Sequence, residues 1–206
     1  MLSLVIPVYL SNEHLKTITR NCLFSLSGKV DEIIIVDDGS PLPISWLKEY
    51  ADVLIVHTRN RGFTASVNHG VAVAHNEHVL LINNDTELVS GNIGDLCTDG
   101  YTFPKIQGKA SPKWDGAFFC FPKSIWKGDD PQFKNYFGDL DRFSQAEKMY
   151  YVPSVVVKHL EQQTSTELGI RDSDFEVSKS KFEEKHHRPF MEFYKDIEAK
   201  IYDRNL

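Results

Sequence analysis

The sequence predicts an α/β protein built on a single, mostly parallel central sheet flanked by helices, with a helical extension at its C-terminal end. Three observations carry this. Short apolar runs alternate with helix-period segments through the first half, the pattern of strands joined by crossover helices. Ile33-Ile34-Ile35-Val36 is an unbroken β-branched run, as in a strand buried on both faces. The apolar run His78–Ile82 stops abruptly on Asn83-Asn84-Asp85, which puts polar groups at a strand's C-terminal edge, where open α/β sheets present binding sites.

The elements follow in order. Leu2–Val8 is the first strand. Ser11 or Asn12 caps a helix running to about Leu26, with Leu15, Ile18, Cys22 and Leu26 at helical spacing. Glu32–Val36 is the second strand and ends in Asp37-Asp38-Gly39-Ser40, followed by a proline-rich turn and a short helix through Trp46 and Tyr50. Val53–Val56 is the third strand, Phe63–Ala74 a helix and His78–Ile82 the fourth strand. Beyond these, Tyr101–Ile106 and Ala117–Phe121 read as strands separated by the loop Gly108–Lys113. Leu140–Lys148 reads as a helix, and Tyr150–His159 as a strand interrupted by Pro153. The polar stretch Glu161–Asp174 reads as a mobile connection. From Phe175 the chain is helical, broken near Pro189, with Phe190, Phe193, Ile197 and Ile201 as an apolar packing stripe.

A length of 206 residues gives room for one domain with a real core. An apolar fraction of 41% and a charged fraction of 25% are those of a soluble globular protein. No segment approaches the roughly 18–20 apolar residues of a membrane span, and Met1–Tyr9 lacks the basic leader of a signal peptide. Three widely spaced cysteines, Cys22, Cys97 and Cys120, form neither a disulfide framework nor a zinc pattern. The expectation is a cytoplasmic protein. A net charge of −6 argues against binding polyanions by bulk attraction. There is no Gly-x-Gly-x-x-Gly after the first strand, no phosphate loop and no Gly-x-Ser-x-Gly elbow. His75 and His78 straddle a helix end and a strand start, so one metal would not use both, and His186-His187 reads as solvated.

Asn83-Asn84-Asp85 is the centre of the functional reading. Oxygen ligands grouped this tightly suit a hard divalent cation, which typically joins a carboxylate to substrate phosphates. The same residues also suit a plain polar turn. Five further stretches surround them: Pro7-Val8-Tyr9 and Val36–Ser40 at strand ends, Asn60-Arg61-Gly62-Phe63 with Asn68-x-Gly70, Phe137-Gly138-Asp139-Leu140-Asp141, and Val155–His159. In this order and spacing, residues 2–165 resemble the family 2 glycosyltransferases.

That resemblance implies a GT-A fold over residues 1–165, with a nucleotide-binding half (1–90), an acceptor and catalytic half (91–165) and a C-terminal helical extension (166–206). It implies transfer of one sugar from a nucleotide-sugar, UDP by analogy, to an acceptor hydroxyl, assisted by Mn²⁺ or Mg²⁺ and inverting. Pro7, Val8, Tyr9 and Asp38 would hold base and ribose, Asp38 being otherwise the cap of a turn. Asn60 lies in the nucleotide loop, and Arg61 would approach the diphosphate or stand exposed. Asp85 would hold the metal, with Asn83 in place of the family's first carboxylate and Asn83 or Asn84 reaching ribose. His159 would be a second ligand, or a structural strand-end histidine. Asp139 would be the general base or a helix cap, with Gly138 where the family has Glu. Trp114, Asp115 and Gly116 would line the donor-sugar and acceptor side, Trp114 being equally suited to core packing. The acceptor would be a glycan or, less expected, a modified DNA base. Rival readings are a non-catalytic module binding nucleotide-sugar or carbohydrate, and a sugar nucleotidyltransferase, which would want a basic Gly-rich loop after the first strand.

Overall fold

Strand β1 (Leu2–Val8) is buried along its whole length in the computed structural model, which describes residues 1–109, 113–160 and 171–204, with backbone alone at 171–173. The remaining elements are α1 (Glu13–Leu26), β2 (Glu32–Asp37), β3 (Val53–Val56), α2 (Phe63–Val73), β4 (His78–Ile82), β5 (Thr86–Ser90), β6 (Tyr101–Ile106), β7 (Phe118–Pro122), α3 (Gly138–Ser144), β8 (Met149–His159), α4 (Arg171–His186), α5 (Phe190–Lys200) and β9 (Ile201–Asp203). The helix expected near Trp46 is a 3-10 turn, Ser45–Glu49. Asn12 caps α1 by accepting from the Leu15 amide at 2.9 Å, an interaction of about 1 kcal/mol.

One mixed sheet runs β3-β2-β1-β4-β7-β6-β8-β5, with β9 also paired to β8. The first four strands are parallel, whereas β7 is antiparallel to both β4 and β6. Alternation along β1 explains the two layers: Leu2, Leu4, Ile6 and Val8 face α1, and Val5 faces Val67 and Val71 of α2. The crossovers α1 and α2 therefore lie on opposite faces, and the strand order reverses at β1. That reversal opens a crevice beyond the carboxyl ends of β1, β2 and β4.

Pro153 sits where the ladder breaks. Pro104 pairs with Val152 and Lys105 with Val156, so residues 153–155 bulge from β8 and the strand resumes toward His159. The C-terminal helices join the α2 face, where Phe182, Phe193 and Ile197 are buried in the same core. Each such side chain stabilises by roughly 1.5–3 kcal/mol, which ties these helices to the sheet. The expected loop Gly108–Lys113 and connection Glu161–Asp174 lie partly outside the described residues. No helix among the described residues is long and apolar enough to cross a membrane.

Candidate active site

The crevice is a cavity of about 880 Å³. At one end Pro7, Val8 and Tyr9 close β1, facing Asn60 and Phe63 of the β3–α2 connection. The middle holds Asn83, Asn84 and Asp85 after β4, Asp115 and Gly116 before β7, His159 at the end of β8, and Asp139 in α3. At the far end stand Phe175 and Glu176 of α4 with Phe190, Met191 and Tyr194 of α5. Twelve of the fourteen residues singled out from the sequence border this one space; Arg61 and Trp114 do not.

Arg61 is exposed and contributes its backbone instead. Its amide donates to Asp38 Oδ1 at 2.8 Å, the Gly62 amide donates to Oδ2 at 2.9 Å, and His57 Nδ1 meets Oδ1 at 2.8 Å. The Asp38 carboxylate is thus the knot that closes the nucleotide-side loop, although it borders the cavity. Gly39 serves the same packing: at φ +77°, a Cβ there would lie 2.6 Å from the Arg59 carbonyl carbon. Trp114 is 3% exposed and belongs to the core, its ring centroid 5.6 Å from Phe143 and 4.7 Å from Tyr194. It is Tyr194 that borders the cavity.

His159 is held between two carboxylates. Its Nδ1 lies 3.1 Å from Asp115 Oδ2 and its Nε2 lies 3.4 Å from Asp85 Oδ1. Burial opposes protonation, but bonds and charge from Asp115 and Asp85 win and push the imidazolium up to about 9. The same contact holds Asp115 below the ordinary carboxylate range despite its burial. Asn83 Oδ1 is buried and accepts no hydrogen bond, while Asn84 Nδ2 donates to Thr19 Oγ1 of α1 at 2.8 Å. Among the described residues no group of three or more His, Cys, Asp or Glu is arranged to hold a metal. The donors present are one carboxylate, one imidazole oriented from behind by Asp115, and one unbonded amide oxygen. That set fits a cation completing its shell with phosphate oxygens and water. Six carboxylates border the cavity (Asp38, Asp85, Asp115, Asp129, Asp139, Glu176), and no Lys or Arg is among its described wall residues.

Asp139 is half-buried in the first turn of α3, and burial pushes its carboxyl up, with the Arg142 guanidinium opposing. It does not cap the helix: Phe137 is the N-cap residue, and Asp139 Oδ1 accepts from the Leu140 amide at 2.8 Å. Phe137 reaches this position at φ +70°, a left-handed conformation costing a side-chain-bearing residue about 1–2 kcal/mol. Gly116 lies so close that a Cβ on it would collide with the Asp139 carboxylate.

Sequence reasoning missed the support behind this turn. Asp129, 1% exposed at its side chain, takes Arg142 in two bonds, Nε to Oδ1 at 2.7 Å and Nη2 to Oδ2 at 2.5 Å. A Cβ on Gly138 would stand 3.3 Å from Thr64 Oγ1 and 3.7 Å from Asp129 Oδ2. Asp141 accepts from His186 Nε2 at 2.7 Å and Lys185 Nζ at 3.0 Å, clamping α4 onto α3. His186 is therefore a half-buried, paired residue and not a solvated one. Only the Gly128-Asp129-Asp130-Pro131 turn signal hinted at Asp129. His75 and His78 serve separate partners, Glu32 and the Thr98 carbonyl.

Residues 3–98 match the family model described as glycosyl transferase family 2. An uncharacterized glycosyltransferase of Escherichia coli K12, YibD, is 28% identical over 92 residues, covering 42% of this chain and 26% of that protein. Among solved structures, Staphylococcus aureus TarS 1-349 with UDP-GlcNAc superimposes at TM-score 0.61 and 14% identity, over 80% of this chain and 60% of that one. GalNAc-T7 with UDP, GalNAc and Mn²⁺ gives TM-score 0.65 at 13% identity, over 80% and 44%. A mannosyltransferase of Pyrobaculum calidifontis with GDP-Man and Mn²⁺ gives 0.56 at 14%, over 79% and 57%. The chain spans about a quarter of the curated relative's length and 60% or less of these structures.

Proposed function

Residues 3–98 are a glycosyl transferase family 2 region carried on a GT-A fold, and from that premise we propose that the chain transfers one sugar from a nucleotide-sugar to an acceptor hydroxyl. The observation that carries this reading is the meeting of Asp139 with the Asp85–His159 pair in one cavity. One side offers a base, the other a seat for a charged leaving group.

The nucleotide binds at the Pro7, Val8, Tyr9 and Asn60 end, UDP being the expected base. Asn83, free to use its buried carbonyl oxygen, lies between nucleotide and sugar. Asp85 and His159 would hold Mn²⁺ or Mg²⁺, which supplies positive charge against the diphosphate. The acceptor oxygen attacks the anomeric carbon as its proton passes to the Asp139 carboxylate. The bond from that carbon to the diphosphate oxygen breaks, its electron pair leaves with the nucleotide, and the anomeric configuration inverts. Asp139 suits this step: burial raises its carboxyl, and the carboxylate form is then a stronger base than a solvated one. Residues 1–90 thus serve the nucleotide and 91–165 the transfer.

A second reading, a binding module without turnover, is favoured by the neutral amide of Asn83 where a second carboxylate would strengthen cation binding. Nucleotide release from a panel of UDP-, GDP- and dTDP-sugars with Mn²⁺ separates the two. Release that stops in Asp139→Asn supports transfer. Saturable nucleotide-sugar binding without release in any member supports the module.

A further inference from the structure

We propose that α5, through Tyr194 with Met191 and Phe190, is the acceptor platform of this cavity, and that the acceptor is an uncharged saccharide. The proposal rests on the glycosyltransferase reading for the direction from which the acceptor approaches.

Tyr194 has one side against the buried indole of Trp114 at 4.7 Å between centroids, yet it remains 38% exposed and borders the cavity. The ring is therefore backed on one side and open on the other. Phe190 meets it edge-on at 6.4 Å, and Met191, 54% exposed, extends the apolar rim. A flat, backed aromatic face beside carboxylates suits the C–H face and the hydroxyl edge of a sugar ring. Tyr194 borders the same cavity as Asp139 and Asp115, and burial, with the charges of those two carboxylates, raises its hydroxyl above the ordinary range.

Its position is fixed and not incidental. Asp141 binds Lys185 and His186 of α4 two residues from Asp139, and Asn135 Nδ2 donates to Asp174 Oδ2 at 2.9 Å. Phe182 and Phe193 then pack α4 against α5 with centroids 5.0 Å apart. These contacts tie the wall to the turn that carries Asp139.

Charge selects the acceptor class. Glu176 borders this end of the cavity and Asp139 its middle; the described wall holds no Lys or Arg, and the nearby Lys179 is paired to Glu176 at 3.6 Å. A nucleic acid or a phosphorylated or sulfated polymer would bring negative charge to a negative wall. A neutral saccharide brings hydroxyl donors to those same carboxylates.

The test reads binding on the intact chain, so it does not depend on turnover. Saturation-transfer NMR is run with neutral methyl glycosides and disaccharides, a sulfated oligosaccharide and a single-stranded oligonucleotide. At least one neutral saccharide should bind saturably, lose about tenfold in affinity in Tyr194→Ala and stay within threefold in Tyr194→Phe. Met191→Asp, at an exposed site where folding is not at issue, should weaken it likewise. Equal affinity in Tyr194→Ala and Met191→Asp, no saturable neutral ligand, or preference for either polyanion would overturn the proposal. Nucleotide release measured in parallel keeps the failures apart. Saccharide binding without release from any donor sinks the transferase reading and leaves the platform; release without saccharide binding does the reverse.

Discussion

Asp115 Oδ2 lies 3.1 Å from His159 Nδ1, and this contact turns the other ring nitrogen toward Asp85. An imidazole oriented from behind by a carboxylate offers its far nitrogen as a metal ligand in a fixed direction. In the proposed site Asp115 would thus position a ligand without being one itself.

Removing that support should be measurable. Asp115→Ala is expected to weaken Mn²⁺ binding in the presence of UDP by about 10–100-fold, the usual cost of losing a carboxylate behind a metal-bound histidine. Because the imidazolium persists to about pH 9, the cation must displace a proton, and affinity should climb with pH up to that point. Calorimetry across pH checks both; a flat pH profile would take His159 out of the ligand set.

Asp139→Asn should separate function from stability. Turnover is expected to fall about 10²–10⁴-fold with nucleotide affinity retained. The folded carboxyl is raised by burial, so its contribution favours the native state below the unfolded carboxylate range and is lost as pH rises through the folded value. Wherever the group is ionised it costs stability, so the Asn variant should not melt below the wild type at pH 7. The acid limb of kcat/KM should also lie above the ordinary carboxylate range. Equal turnover, or a lower Tm at pH 7, contradicts this assignment.

Gly116→Ala tests the closeness of the β7 approach to the base. The added methyl would meet the Asp139 carboxylate, and displacement of a catalytic group by about 1 Å costs on the order of 10²-fold in rate. Nucleotide affinity should hold. Wild-type kinetics in this variant would mean that the two backbones are not opposed at this point.

Asp38→Ala would leave the Arg61 and Gly62 amides and His57 without their acceptor. Hydrogen bonds to a charged group contribute about 1.5–3 kcal/mol each, so Tm should drop by several degrees, and nucleotide affinity should fall because the Asn60 loop loosens. A thermal melt with and without UDP distinguishes this from direct contact, which would lower affinity and leave the unliganded Tm unchanged.

Strands β1, β3, β4 and β6 were legible to the residue because each is an apolar run bounded by turn signals. Thr86–Ser90 was not: it is short and half-polar, and pairing with β8 makes it a strand. Helix α3 begins at Gly138, earlier than its apolar pattern, because Phe137 takes a left-handed conformation that no propensity assigns to Phe. It stops at Ser144 as the chain turns into β8. In the site, Asp85, Asp115, Asp139 and His159 were readable because they punctuate strand and helix ends. Asp129, Asp141 and Tyr194 were not, since each acquires its place from a partner distant in sequence: Arg142, Lys185 with His186, and Trp114.

The last described strand bears on self-association. Residues Ile201–Asp203 occupy the flank of β8 from Met149 to Tyr151, next to the stretch covered by β5. Lys113 bonds Asp203 at 2.8 Å and Arg204 lies over Tyr150, so this rim of the sheet carries charge as well as backbone pairing. Without residues 201–203, the backbone of Met149 to Tyr151 on this flank would lose its pairing and offer a template for strand addition. Residues 201–203 thereby set where this rim of the sheet ends, shifting the open edge from β8 to a short strand flanked by charge.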